Sequence, residues 1–230
     1  MKIGIIIFAR MDSERLKNKI FTKINGKYLF QLVLNRLKMI EPQLITIVAT
    51  RDRPIDDKIQ CFSNKYNLNI FRGSINNVID RAIKCCEMYG LDGFVRICAD
   101  RPLLPFELIN LGLKFFLSNK FDLVTNSLNK TYPKGCMTEI VKTSALKNAY
   151  SSKLNKDQKE HITKYIYDND DRFVIKELPY GKLNWVNLNL SVDTLEDKKR
   201  IEWIIKTSKK PSELLSLNES IKLAEKWNYI

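Results

Sequence analysis

Four cations, Arg10, Arg15, Lys17 and Lys19, fall in one short stretch, Ala9-Arg10-Met11-Asp12-Ser13-Glu14-Arg15-Leu16-Lys17-Asn18-Lys19, directly behind the apolar run Ile3-Gly4-Ile5-Ile6-Ile7-Phe8. A short β-branched run of this kind has the pattern of a strand buried on both faces of a parallel sheet. Ligands of open α/β sheets bind beyond the carboxyl ends of their strands. A cationic loop in that place is suited to polyanionic phosphate, and a small residue such as Ala9 lets the chain turn into it. The loop lacks the glycine spacing of a Walker motif or of a dinucleotide site. A solvated basic turn is the alternative. Two carboxylates stand at comparable positions, Asp100 behind residues 93–99 and Asp193 behind residues 186–191. Together they would make a cradle for Mg²⁺, a hard cation that selects carboxylate oxygens. Helix or turn capping by either aspartate is the competing explanation.

The elements that must position these residues alternate along the chain. Buried-strand patterns cover residues 3–8, 44–50, 68–71 and 93–99, with shorter ones at 121–126, 139–141, 173–178 and 186–191. Helical spacing covers residues 28–37, 56–67, 77–86, 105–118 and 143–154, a polar segment runs over 158–168, and a helical tail from Leu195 is interrupted at Pro211. Strands alternating with helices through short connections imply right-handed crossovers and a largely parallel sheet. No repeat, low-complexity tract or linker divides the sequence, so residues 1–230 are expected to form one domain, with an elaboration for acceptor binding or dimerisation around 126–170.

Composition narrows the partners. The 39 Lys and Arg against 26 Asp and Glu leave a net charge of +13, which favours anionic partners: a nucleotide, an acidic sugar or nucleic acid. The five cysteines (Cys61, Cys85, Cys86, Cys98, Cys136) lack C-x-x-C spacing and a single histidine accompanies them, so neither a disulfide framework nor a structural zinc is indicated. The apolar run before Arg10 is too short for a signal peptide, and no stretch approaches the roughly 18 apolar residues of a membrane span. A soluble protein of the reducing cytoplasm is expected. A nucleic-acid-binding protein would need its 11 Phe, 9 Tyr and 3 Trp interleaved with basic residues on one face, whereas most aromatics fall in apolar-periodic segments. A glycosyltransferase would need a D-x-D metal pair, and Asp168-Asn169-Asp170 lies in a polar stretch and not behind a core strand.

Seven landmarks in order give a resemblance. Ala9-Arg10-Met11-Asp12-Ser13-Glu14-Arg15-Leu16 with Lys19 is similar to an A-R-x-x-S-x-R-L-P-x-K signature, with Lys17 in place of the proline. Ala49-Thr50, Phe71-Arg72-Gly73-Ser74 with Val78-Ile79-Asp80-Arg81, and Arg96-Ile97-Cys98-Ala99-Asp100-Arg101-Pro102-Leu103 follow. Then come Thr131-Tyr132-Pro133-Lys134-Gly135 with Glu139, Glu160-His161-Ile162-Thr163 with Tyr165-Ile166-Tyr167, and Leu190-Ser191-Val192-Asp193-Thr194 with Glu196-Asp197. Together they resemble the cytidylyltransferase family that activates keto-deoxyoctonate and sialic acids, particularly its spore-coat polysaccharide, SpsF-like branch. Met137 stands where the fifth motif commonly has an aspartate near the acceptor.

The resemblance implies an α/β fold with a Rossmann-like, mixed but mostly parallel sheet of the nucleotide-diphospho-sugar transferase type. It implies an enzyme that joins CMP from CTP to an anionic acceptor and releases pyrophosphate. Ala9, Arg10, Ser13, Arg15 and Lys19 would bind the nucleotide's phosphates, and Asp100 and Asp193 would hold Mg²⁺, which would activate the acceptor hydroxyl. Thr50, Ser74 and Arg81 are candidates for the base pocket, Arg81 being equally able to pair with Asp80. Arg101, Tyr132, Lys134, Glu139 and His161 would face the acceptor, although Tyr132-Pro133 also suits an ordinary turn and His161 a structural role. The default acceptor is a 2-keto-3-deoxy sugar acid in surface-polysaccharide biosynthesis; a sugar phosphate, polyol phosphate or phosphonate giving a CDP-type product is the alternative. Relatives of this kind are often homodimers.

Overall fold

The computed structural model describes residues 1–179 and 181–227. In chain order the regular elements are β1 (Ile3–Phe8), β2 (Lys23–Ile24), β3 (Lys27–Tyr28), α1 (Leu29–Leu37), β4 (Ile45–Arg51), α2 (Asp57–Lys65), β5 (Asn69–Gly73), α3 (Val78–Tyr89) and β6 (Gly93–Cys98). They continue with α4 (Phe106–Phe116), β7 (Leu123–Thr125), β8 (Glu139–Lys142), α5 (Thr143–Tyr150), α6 (Lys156–Glu160), α7 (Lys164–Asp168), β9 (Ile175–Glu177), α8 (Leu195–Ser208) and α9 (Leu217–Trp227). The strands form a seven-stranded sheet of order β5-β4-β1-β6-β8-β7-β9, and β2 and β3 make a separate small hairpin.

β1 is paired in parallel with β4 on one side and β6 on the other. Both of its faces are covered, which is why it is an unbroken apolar run and does not alternate. The connections run outward from β1 to β4 and β5 and then return to β6, so the chain reverses direction across the sheet between β1 and β6. Such a reversal opens a crevice at the strands' carboxyl ends. Beyond β6 the sheet turns mixed: β8 is antiparallel to both β6 and β7, and β9 is parallel to β7.

One core region packs α1, α4, α8 and α9 against one face, and a second packs α3, α5 and α7 against the other. Cys85 and Cys86 belong to this second core, where burial pushes their thiols up to about 12 and about 11. All five cysteines are free. Residues 126–170 supply β8 to the sheet interior and α5–α7 to the helical layer.

One expected strand is absent. Residues 186–191 carry the apolar alternation of a strand, but Val186 is in the helical region after a 3₁₀ turn at Leu183–Trp185. Only Asn189 forms a bridge, with Lys134. Gly135, at φ +95°, turns the neighbouring chain away so closely that a Cβ there would lie 2.6 Å from the Leu190 carbonyl carbon. The helix expected over residues 143–154 ends at Tyr150, and the polar segment 158–168 divides into α6 and α7. No helix among the described residues is long and apolar enough to cross a membrane.

Candidate active site

The loop behind β1 is fastened at its buried residues, which fixes where its cations project. The Ala9 N–H donates to the Ala49 carbonyl and the Met11 N–H to Asp56 Oδ1 at 2.9 Å, while both apolar side chains are buried. Asp12 accepts from Arg51 Nη1 at 2.7 Å and Arg53 Nη1 at 2.8 Å, so the chain is braced against β4. Burial would raise the Asp12 carboxyl, but these guanidinium groups carry it below its ordinary range. Arg10 and Arg15 are left more than half exposed.

Lys19 turns inward from a 3₁₀ turn, Lys19–Phe21, that follows a left-handed Asn18. Its ammonium donates to Asp100 Oδ2 at 2.7 Å and to Asp193 Oδ1 at 2.8 Å. Burial alone would depress the Lys19 pKa, but the two carboxylates outweigh it and raise it. Asp193 Oδ2 also receives Lys134 Nζ at 2.6 Å and lies 3.1 Å from Arg15 Nη2. Burial works to raise the Asp193 carboxyl; hydrogen bonds from Lys134 and Lys19 prevail and hold it far below the usual carboxylate range.

Distant segments meet here through backbone bonds. The Val192 N–H donates to the Asp100 carbonyl, the Leu190 N–H to the Lys134 carbonyl, and the Lys134 N–H to the Leu188 carbonyl. The capping alternative for Asp193 is excluded, because Thr194 caps α8 in a reciprocal box with Asp197. Asp193 is thereby released to point at Lys19.

These groups border a cavity of about 400 Å³ between the strand ends, α3 and α6. Of the residues expected from the sequence, Ala9, Arg10, Ser13, Arg15, Lys19, Arg81, Asp100, His161 and Asp193 line it. His161 is exposed, with Nε2 3.4 Å from Asp157, and is not a core histidine. Arg81 is buried and donates through Nη1 to the Ser74 carbonyl. Burial, reinforced by Arg51 and Arg10 against the opposing Glu160 and Asp56, pushes its guanidinium down to about 10.

Other expected residues lie off the wall. Thr50 is fully buried in β4, and Ser74 reaches the site only through the carbonyl that holds Arg81. Arg101 is half-buried, lies off the cavity and donates to the Met137 carbonyl at 2.8 Å. Tyr132 packs on Trp185 and donates its hydroxyl to the Pro179 carbonyl, and Lys134 enters only by way of Asp193. Glu139 does not face the cavity: it is 1% exposed and paired with Arg96 on the next strand.

Arg51, Arg96, Cys98, Phe8, Val78 and Glu160 line the cavity without having been assigned to it. Two of them carried a signal. Arg51 ends a buried strand, and Arg96 is a charge placed inside an otherwise apolar one, where an ion needs a specific partner.

As carboxylate donors, Asp100 and Asp193 have the chemistry that Mg²⁺ selects. Mg²⁺ usually takes one or two carboxylates and fills its other positions with water and substrate phosphates. The described residues contain no group of three or more His, Cys, Asp or Glu side chains that would form a full protein cage. Both carboxylates already address one cationic position, the Lys19 ammonium.

The fold is that of the nucleotidyltransferases, and the crevice at its sheet's reversal, lined by cations and two converging carboxylates, is the candidate site. The chain belongs to the cytidylyltransferase family, whose family model matches residues 4–227, and it is accordingly a CTP-dependent enzyme. It is 36% identical over 200 residues to an uncharacterized protein of Methanocaldococcus jannaschii, a match covering 86% of this chain and 81% of that one. It is 27% identical to the spore coat polysaccharide biosynthesis protein SpsF of Bacillus subtilis over 94% of this chain and 93% of the relative. Its fold superposes on the structure of a cytidylyltransferase from Leptospira borgpetersenii with a TM-score of 0.91 at 30% identity, covering 100% of this chain and 96% of the other.

Proposed function

We propose that this enzyme transfers CMP from CTP to the anomeric hydroxyl of a 2-keto-3-deoxy sugar acid and releases pyrophosphate. The reading places it in the cytoplasm, in surface-polysaccharide biosynthesis, a setting supported by its likeness to SpsF and by its free thiols. The observation that carries it is the convergence of Asp100 and Asp193 on Lys19 beside Arg10 and Arg15.

Arg10, Arg15 and Lys19 bind the triphosphate, with Ala9 and Ser13 shaping the loop beneath it. Negative charge accumulates on the departing pyrophosphate, and fixed cations stabilise it most at that stage. Arg81 and Val78 receive the base. The acceptor hydroxyl oxygen attacks the α-phosphorus in line with the leaving group: one oxygen–phosphorus bond forms as the bond to pyrophosphate breaks, and the hydroxyl proton passes to solvent. Asp100 and Asp193 are the residues that would hold Mg²⁺, which when bound would neutralise α-phosphate oxygens that repel the incoming oxygen.

Pyrophosphate release is measured with CTP, Mg²⁺ and a panel of 2-keto-3-deoxy sugar acids, sugar phosphates, polyol phosphates and phosphonates. Release with a sugar acid, abolished by EDTA and restored by Mg²⁺, is the expected result. Release with phosphate acceptors alone would move the product to a CDP-linked compound. Silence across the panel overturns the reading.

A further inference from the structure

Arg96 is a cation in the middle of a core strand, and binding of the triphosphate leaves it without a task. It lies on β6 beside Glu139 of β8, one step beyond the Val95–Ile140 pair. Its Nη1 donates to Glu139 Oε2 at 2.5 Å and to the Thr163 hydroxyl oxygen at 3.3 Å. Glu139 Oε1 in turn accepts from the Thr163 hydroxyl at 2.6 Å and the Tyr167 hydroxyl at 2.8 Å. Both of these protein bonds use one guanidinium nitrogen, Nε is buried without a partner, and the side chain forms part of the cavity wall. A guanidinium held along one edge is fixed in orientation and keeps donors for a ligand.

The sheet order indicates which ligand. On one side of β1 the strand β4 supplies Arg51 to the cavity and on the other side β6 supplies Arg96, while α3 and the segment at the end of α6, packed together over the sheet, supply Arg81, Glu160 and His161. The phosphate loop behind β1 lies between the two strands. With the base on the β4–α3 side, the acceptor occupies the β6–β8 side, where Arg96 is the arginine on the wall. Resting on the function proposed above, we infer that Arg96 binds the acidic group of the acceptor, that Glu139 is its positioning residue, and that the group is a carboxylate. Shape and charge favour the carboxylate. Glu139 already neutralises Arg96, so any anion adds uncompensated charge there; a planar monoanion adds one and matches the flat guanidinium, whereas a phosphate dianion adds two.

The test is steady-state pyrophosphate release by Arg96→Lys and Glu139→Gln, with CTP and the acceptor varied in turn. Loss of the forked donor raises the acceptor KM about tenfold or more in Arg96→Lys, and less in Glu139→Gln, with the KM for CTP within about twofold of wild type. Should a single variant fail to fold, Arg96→Gln/Glu139→Gln leaves no buried charge unpaired. CTP binding by calorimetry then verifies its fold, and the same rise in acceptor KM is expected. An unchanged acceptor KM in Arg96→Lys, or equal rises for both substrates, overturns the inference. A wild type that uses only phosphate acceptors overturns the carboxylate assignment. A wild type silent with every acceptor overturns the proposed function itself, and this inference with it.

Discussion

Asp193 accepts a hydrogen bond from Lys19 at 2.8 Å because the helix that follows does not need its carboxylate. Thr194 and Asp197 cap α8 between them, and the Asp193 N–H itself donates to Asp197. A position that the sequence offered equally to capping and to chemistry is thus given to the site. Replacing Asp193 by Asn leaves the helix cap intact but removes a charge opposite Lys19 and Lys134. A loss of about 10²–10³-fold in kcat is expected, the scale found when one preorganised electrostatic group is removed. Pyrophosphate release, with circular dichroism unchanged from wild type, checks it.

The same carboxylate gives a pH dependence of stability. Its folded pKa lies below the unfolded value of 3.8, so its contribution is complete above the unfolded pKa. That contribution drains away as pH falls through the folded value. Melting temperature is therefore expected to decline below about pH 4, and to decline less steeply in Asp193→Asn. Thermal melts recorded across the acid range for both proteins decide it.

Gly135 sets the turn that carries Lys134. At φ +95° an L-residue is strained, and an added Cβ would lie 2.6 Å from both Leu190 C and Ser191 N, backbone atoms that cannot swing aside. Gly135→Ala is expected to cost about 1–3 kcal/mol of stability and to lower activity by displacing Lys134 from Asp193. Denaturant unfolding paired with pyrophosphate release measures both effects. Full activity at wild-type stability would contradict the role given to this turn.

Arg36 is a structural counterpart to the site arginines. Fully buried in α1, it donates to the carbonyls of Leu104, Ser212, Glu213 and Leu215 and lies over the Phe106 ring. It thereby ties the segment before α9 to α1 and to the start of α4. Burial pushes its guanidinium down to about 10. Arg36→Met leaves those carbonyls without their donor and is expected to destabilise the fold by about 3 kcal/mol or more, lowering the melting temperature by roughly 10 °C. CTP binding well below the melt should be retained.

Arg81 on α3 and Arg96 on β6 line the same cavity but are assigned to different substrates, so they should separate kinetically. Arg81→Leu is expected to raise the KM for CTP by about tenfold with little change in the acceptor KM, the reverse of the Arg96 pattern. Parallel titrations of the two substrates provide the comparison.

The sequence by itself determined β1, its cationic loop and the succession of strands and helices that follows. These are local facts: a strand buried on both faces is a contiguous apolar run, and Arg10, Arg15 and Lys19 are close in sequence. Tertiary structure alone decided what the distant groups face. Asp100 and Asp193 become neighbours through the Val192 bond to the Asp100 carbonyl. Glu139 is turned from the cavity to Arg96 by the register of β8 on β6. Residues 186–191 have the alternation of a strand, with Leu188 and Leu190 buried, but a single bridge replaces the ladder. Periodicity records which side of a segment is buried; it does not record which segment lies beside it, because strand order and register arise from packing between residues far apart in the chain.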